Sequence, residues 1–180
     1  MRELSLHILD IVENSVKAKA TLIEVTIEVK DGYINIEIAD NGTGMDKEFV
    51  KTVTDPFSTT RTTRKVGLGI PLMKMAAETA GGNFSIESEK GKGTRVYASF
   101  LINHIDRMPL GDVAETITTV LYPDIDFVWT VRDENEEFVF DTREVKRELD
   151  PVPIDDAETM VYLKSYIQEN IESIIGGKNL

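Results

Sequence analysis

Residues 22 to 40 read LIEVTIEVKDGYINIEIAD, and apolar side chains alternate strictly with polar ones on both sides of Asp31-Gly32. Strict alternation is a strand signal, and Asp-Gly between two alternating runs is a two-residue hairpin turn. Ile23, Val25, Ile27 and Val29, then Ile34, Ile36 and Ile38, share one face, so the hairpin has one dry side and one wet side. A sheet with one dry face must be covered, and the flanking segments supply the cover.

Residues 3 to 18 carry apolar residues at Leu4, Ile8, Ile11 and Val12, with Leu6, Leu9 and Val16 beside them, which predicts a helix buried over most of its circumference. Its polar residues Glu3, His7, Asp10, Asn14 and Lys17 recur every three or four positions and form one thin stripe, as expected of a helix facing a cavity or a site. A solvent-facing stripe with i to i+4 support is the alternative. Residues 46 to 53 are weakly helical, and 54 to 66, rich in Thr and Arg, read as a mobile loop. Pro71 near the start and Gly81-Gly82 after the end predict a helix over 70 to 80. FSIESEKGKGTRVYASFLI is a second alternating hairpin turning at Gly91-Lys92-Gly93. The fold class that follows is α+β, a two-layer sandwich of helices on a mostly antiparallel sheet.

Beyond residue 104 the pattern predicts a helix at about 111 to 121, a hairpin over 125 to 141, a short helix, and a long helix over about 156 to 175. Asp155 and Glu158 stand at capping-box spacing before the long helix, and Gly176-Gly177 follow it. The charge is uneven. Of the net −12, residues 1 to 104 hold 14 acids and 13 bases, and residues 105 to 180 hold 18 acids and 7 bases. The second part is therefore read as a small acidic α+β extension, either a separate domain or a flap on the first sheet, that argues against nucleic acid and favours a basic or metal-bearing partner, with a plain solvated surface as the alternative. The absence of cysteine removes thiol chemistry, and two histidines cannot build a structural zinc site, so any metal is expected on oxygen ligands. No run approaches the length of a membrane span, so no membrane contact is expected and the expected location is cytoplasmic.

Three Gly-x-Gly pairs occur, at 42 to 44, 67 to 69 and 91 to 93, and none extends to a dinucleotide or P-loop fingerprint. One pair precedes a helix N-terminus, where free N-H groups and the helix dipole suit phosphate. With arginines in the loop and a carboxylate-amide stripe on the first helix, the constellation suggests a nucleotide site.

Over roughly residues 4 to 102 the chain resembles the ATPase superfamily that groups gyrase-type topoisomerases, histidine kinases, mismatch-repair ATPases and anti-sigma serine kinases. The resemblance rests on four motifs in order: DIVENSVK (10 to 17), DNGTGM (40 to 45), DPFSTTR with VGLGI (55 to 61 and 66 to 70), and GKGT (91 to 94). It implies the family's Bergerat-type ATP-binding fold, with ATP and Mg²⁺ as ligands. By this resemblance Asp40 accepts the adenine amino group, while Gly42, Gly44 and Met45 let the chain approach the base. Asn14 matches the Mg²⁺-holding asparagine, and Lys17 a lysine that neutralises phosphate. Gly67, Leu68 and Gly69 match the phosphate-binding backbone, Phe57 and Arg61 the lid, and Thr94 the threonine that supports the adenine aspartate. The hydrolytic branches carry glutamate four residues before the asparagine; here that residue is Asp10, one methylene shorter, and it is the candidate catalytic base. Glu13 projects about 100° away around the helix and ranks below it.

A histidine kinase of this layout would need phosphoacceptor helices before the first motif, and His7 inside the first helix reads as a pocket or packing residue. The expectation is thus a kinase acting on a protein in trans, resembling anti-sigma serine kinases, or an ATP-hydrolysing switch. A module that senses ATP without chemistry is the third reading. Residues 1 to 104 are read as the ATP-binding domain and residues 105 to 180 as an accessory region, expected to hold the protein partner in the first reading, and a homodimer is compatible with all three.

Overall fold

Asp31 and Gly32 take φ of +52° and +80°. Positive φ at both central residues is the type I′ turn, whose twist matches that of the flanking strands and which Asp-Gly favours, so this dipeptide closes the pair. The turn sets the register of β1 (Leu22–Lys30) and β2 (Tyr33–Asp40): Lys30 opposes Tyr33, and Ile23 opposes Asp40. The computed structural model describes residues 3–54, 68–178 and 180. Around the hairpin lie α1 (Leu4–Lys17), α2 (Lys47–Val53), α3 (Gly69–Thr79), β3 (Phe84–Glu89) and β4 (Gly93–Leu101). The acidic part adds α4 (Val113–Thr119), β5 (Asp126–Arg132), β6 (Glu137–Asp141), α5 (Thr142–Leu149) and α6 (Ala157–Ile175).

All six strands form one sheet in the order β3-β4-β2-β1-β5-β6. Every neighbouring pair is antiparallel except β1 with β5, where Val25 stands beside Trp129 and Ile27 beside Val131. Registers carry the apolar face straight across the sheet. Val96, Ile38, Val25, Trp129 and Phe140 lie in one row, and each is buried. The strands from the acidic part therefore widen the sheet that the first hairpin begins. The expected α+β architecture of helices on a mostly antiparallel sheet is the one observed.

Helix α1 contacts both α3 and α4, and α4 contacts α6, so the helices form one layer over the sheet. The N-terminal amides of α1 are met from outside the helix: Leu4 N donates to Pro109 O at 2.9 Å and Ser5 N to Leu110 O at 2.8 Å. These bonds satisfy groups that a helix end leaves open, and they tie α1 to the segment after β4.

Some boundaries differ from expectation. Helix α6 is capped by Asp156, whose side chain accepts from Thr159 N at 3.1 Å, and not by Asp155. Helix α4 starts at Val113, two residues later than expected, because Asp112 caps it by accepting from Glu115 N at 2.7 Å, and it ends at Thr119, two residues earlier. Pro71 falls at the third residue of α3, still within the first turn where an N-H has no helical acceptor. The expected loop over 54 to 66 lies outside the described residues beyond Thr54. No helix among the described residues is long and apolar enough to cross a membrane.

Trp129 is 1% exposed and sits in the strand that joins the two parts of the chain. Replacing it with alanine is expected to cost about 3–5 kcal/mol, as for large core truncations. Because β5 is bonded to β1, urea unfolding followed by circular dichroism should still show one transition, at lower denaturant. Two separate transitions would mean that the acidic part folds independently.

Candidate functional site

The period of β2 that points Ile34, Ile36 and Ile38 at the core also points Asp40 there, because residues two apart share a face. A carboxylate at the rim of a dry face needs partners, and it has two. Ser15 Oγ of α1 donates to Asp40 Oδ2 at 2.7 Å, and Gly42 N donates to Asp40 Oδ1 at 2.8 Å. An ionised carboxylate offers about four acceptor positions, so capacity remains for a further donor.

Thr94 stands directly opposite Asp40 in the β2–β4 register, and its hydroxyl is 2.8 Å from Ser88 Oγ. Ser88 gives its single proton to Gly93 O at 3.0 Å and accepts Met45 N at 2.8 Å. Thr94 is then the donor to Ser88, so this threonine supports the loop at Met45 through Ser88.

The loop after β2 is held on both sides. Asn41 Oδ1 accepts Thr21 N at 2.9 Å and Leu22 N at 3.0 Å, and Asn41 Nδ2 donates to Thr21 Oγ1 at 2.9 Å. Thr43 N donates to Ala18 O at 2.9 Å, and Gly91 N to Thr43 O at 2.7 Å. A Cβ on Gly42 would come within 2.7 Å of Ala18 O. One on Gly44, whose φ is +61°, would fall 2.0 Å from Glu89 O. The close approaches these glycines permit in this structure are to neighbouring backbone, which seats the loop between α1 and the β3–β4 turn.

Between α1, β2, β4 and α2 lies a cavity of about 390 Å³, within the range of small-ligand sites. Ile11, Ile38, Ile70 and Val96 give it an apolar lining, and Asn14, Lys17, Asp40 and Thr94 are its polar lining among the expected residues. Gly44 and Met45 also line it. The stripe along α1 thus divides by depth. Lys17 is exposed and pairs with Glu13 at 3.5 Å, whereas Asp10 packs on the first residue of α3: a Cβ on Gly69 would lie 2.9 Å from Asp10 Oδ2. The Asp10 carboxylate therefore borders a helix N-terminus, although it is outside the cavity lining. Leu68, just ahead of α3, is exposed. Phe57, Arg61 and Gly67 lie outside the described residues.

Among the lining and supporting residues that the motif reading does not single out are Ser15, Phe49, Lys90 and Ser88. Ser15 stood in plain view as a polar residue in the apolar register of Ile8 and Ile11. Lys90 adjoins the Gly91-Lys92-Gly93 turn, and Phe49 lies on the weak helix α2, whose N-cap Asp46 accepts Phe49 N at 2.8 Å.

His7, the most deeply set member of the stripe, is 2% exposed, and neither ring nitrogen has a hydrogen-bond partner among the described residues. Burial pushes its pKa below the ordinary imidazole value. The unfolded chain then binds a proton that the folded chain refuses, so His7 contributes stability above about pH 6.5 that is lost as pH falls. Urea midpoints at about pH 7.5 and 5.5 should converge in His7→Leu compared with the wild type. Parallel losses in both proteins would show that His7 does not carry the effect. For the carboxylate, Ser15→Ala removes one of two anchors, and nucleotide affinity should fall about tenfold by titration. Unchanged affinity would mean that Gly42 N suffices to orient Asp40.

A model of histidine kinase-, DNA gyrase B- and HSP90-like ATPases matches residues 2–104. An anti-sigma F factor of Clostridium botulinum (strain Alaska E43 / Type E3) is 40% identical over 76 residues, covering 42% of this chain and 49% of that protein. The histidine protein kinase DivJ of Caulobacter vibrioides is 32% identical over 101 residues, covering 53% of this chain and 17% of the kinase. The chain thus spans about half or less of the length of these curated relatives. Among solved structures, the N-terminal domain of a DNA repair protein superimposes with a TM-score of 0.53 at 15% identity, over 77% of this chain and 52% of that one, a likeness of fold alone. The four motifs, the mixed sheet and the matched segment agree, and the chain belongs to the family of histidine kinase-, DNA gyrase B- and HSP90-like ATPases.

Proposed function

We propose that this protein binds Mg-ATP in the cavity beside α1 and uses it to regulate a protein partner, as a kinase acting in trans. The observation that carries the reading is Asp40, a carboxylate turned to the core face and fixed by Ser15 and Gly42 N, with acceptor capacity left at the floor of the cavity. An acceptor-only group suits the exocyclic amine of adenine and discriminates against a base that presents a carbonyl there. The 40% identity to an anti-sigma F factor supports a regulatory role toward a protein.

Lys17 and Lys90 at the cavity and the N-terminus of α3 offer positive charge and open N-H groups to phosphates. Asn14 offers a carboxamide oxygen at the cavity wall, and no cluster of three His, Cys, Asp or Glu suited to a metal occurs among the described residues. One amide oxygen fits an ion that keeps several waters and takes its other ligands from phosphate, as Mg²⁺ does. When bound, Mg²⁺ supplies neutralisation of phosphate charge.

In the kinase reading, Asp10 accepts the proton of a partner hydroxyl as that oxygen attacks the γ-phosphorus and ADP leaves. Asp10 beside the first residue of α3 supports equally a second reading, in which the attacking oxygen is water and the protein is a hydrolytic switch. A reader of ATP that performs neither step remains the alternative in which Asp10 only packs.

The test is phosphate release and nucleotide binding by wild type, Asp10→Asn and Asp40→Asn. Asp40→Asn should weaken ATP binding about tenfold or more by turning an acceptor into a partial donor. Asp10→Asn should bind ATP normally and lose about 10²–10⁴ of turnover. Turnover unchanged in Asp10→Asn would remove the base assignment, and a wild type that binds no ATP would remove the proposal.

A further inference from the structure

At the β6 edge of the sheet, away from the nucleotide cavity, α5 and α6 leave a groove of about 330 Å³ unfilled. Phe140 forms its floor, Val145 and Leu149 one wall, and Tyr162, Leu163 and Tyr166 the other. Tyr162 is 68% exposed and Tyr166 44%, so a large aromatic surface faces solvent here. Tyr166 is held in place by an edge contact to Phe138, with ring centres 5.8 Å apart at 68°.

The charges on this groove are all of one sign. Glu144 and Glu148 line it one helical turn apart on α5. Of the three basic residues of the same helix, Arg143 pairs with Asp141 at 2.6 Å and Lys146 with Asp126 at 2.9 Å, and Arg147 does not line the groove. Neither glutamate has an ion-pair partner within 4 Å among the described residues. Two unpaired carboxylates at i and i+4 repel each other, and a cation placed between them relieves that repulsion. Residues 105 to 180 hold 18 acids against 7 bases, which repels nucleic acid and anionic lipid and attracts a basic polypeptide.

We propose that the α5–α6 groove docks a Lys- or Arg-bearing amphipathic helix of a protein partner, its apolar side chains entering between Leu149 and Tyr162 and its cations meeting Glu144 and Glu148. An apolar trough with fixed aromatic walls and a charged rim is the geometry of helix-in-groove recognition, and tyrosine faces add attraction for cations. This inference rests on the reading of the protein as a regulator of a partner, and it names the surface and the partner's chemistry.

The test uses the whole chain and a fluorescent probe helix of about 14 residues, with leucine on one face and lysine on the other, and a glutamate counterpart of the same pattern. Fluorescence anisotropy should show the lysine peptide binding and the glutamate peptide not binding. Glu144→Gln with Glu148→Gln should weaken the lysine peptide about fivefold, and Tyr162→Ala about tenfold. Glu134→Gln with Glu136→Gln, an equal charge change on the β5–β6 turn, should leave it unchanged.

Equal losses from the two glutamine pairs would reduce the effect to bulk charge and overturn the groove. So would an absence of binding, or binding indifferent to Tyr162→Ala. Sedimentation of the protein alone provides the last arm: a dimer abolished by Tyr162→Ala would assign the groove to a second copy and overturn the partner helix. Mg-ATP binding is measured on every variant and should be unchanged. Loss of peptide binding with ATP binding intact refutes the groove alone, whereas a wild type that fails to bind ATP refutes the functional reading beneath it.

Discussion

The bond from Ser15 to Asp40 joins the helix layer to the sheet where the dry face turns polar at the end of β2. Its existence depends on register. The two left-handed residues Asp31 and Gly32 fix β1 against β2, and that pairing places Asp40 at the end of the row of isoleucines. A one-residue slip would send every side chain of β2 to the other face, moving Asp40 to solvent along with burying Asn35 and Glu37. Burial of Ile34, Ile36 and Ile38 at about 1.5–3 kcal/mol each therefore also holds the carboxylate in place. Packing and site share one cause.

The same economy governs the glycines. Gly44 lies against Glu89 O, and a Cβ on Gly93 would come within 1.9 Å of Asp40 O, so two of the Gly-x-Gly pairs meet each other across the end of the sheet. Ser88, Thr94 and Met45 N complete that contact with hydrogen bonds. The loop that follows Asp40 is thus bounded by α1 on one side and by the β3–β4 turn on the other, and it forms part of the cavity wall between them.

Much of this was legible in the sequence because the signals are local. Strict alternation gave both hairpins of the first hundred residues, and the helical spacing of Leu4, Ile8, Ile11 and Val12 gave α1. Asp40, Asn14, Lys17 and Thr94 were readable as a motif set, and they do converge on one cavity. What escaped was non-local or finely balanced. The alternation of residues 126 to 132 makes a strand, but nothing in it says that the strand pairs in parallel with β1. Asp155 and Asp156 both precede α6, and only the rotation of the chain at that point decides which carboxylate reaches an open amide. Ser15 reads as a minor interruption of an apolar face until β2 brings Asp40 to it.

Helix α1 is where the two parts of the chain depend on each other. Its first amides are held by the carbonyls of Pro109 and Leu110, its flank meets α4, and its last turns bring Asn14, Ser15 and Lys17 to the cavity. A helix this apolar could slide or rotate on a flat sheet, since dispersion contacts among aliphatic side chains are weakly directional. The bonds to 109 and 110 fix it along its axis at one end, and the Ser15–Asp40 bond fixes it at the other. The segment after β4 is thereby part of what aims the cavity-lining residues of α1, and α4, packed between α1 and α6, is the structural link from that helix to the acidic groove at the far edge of the sheet.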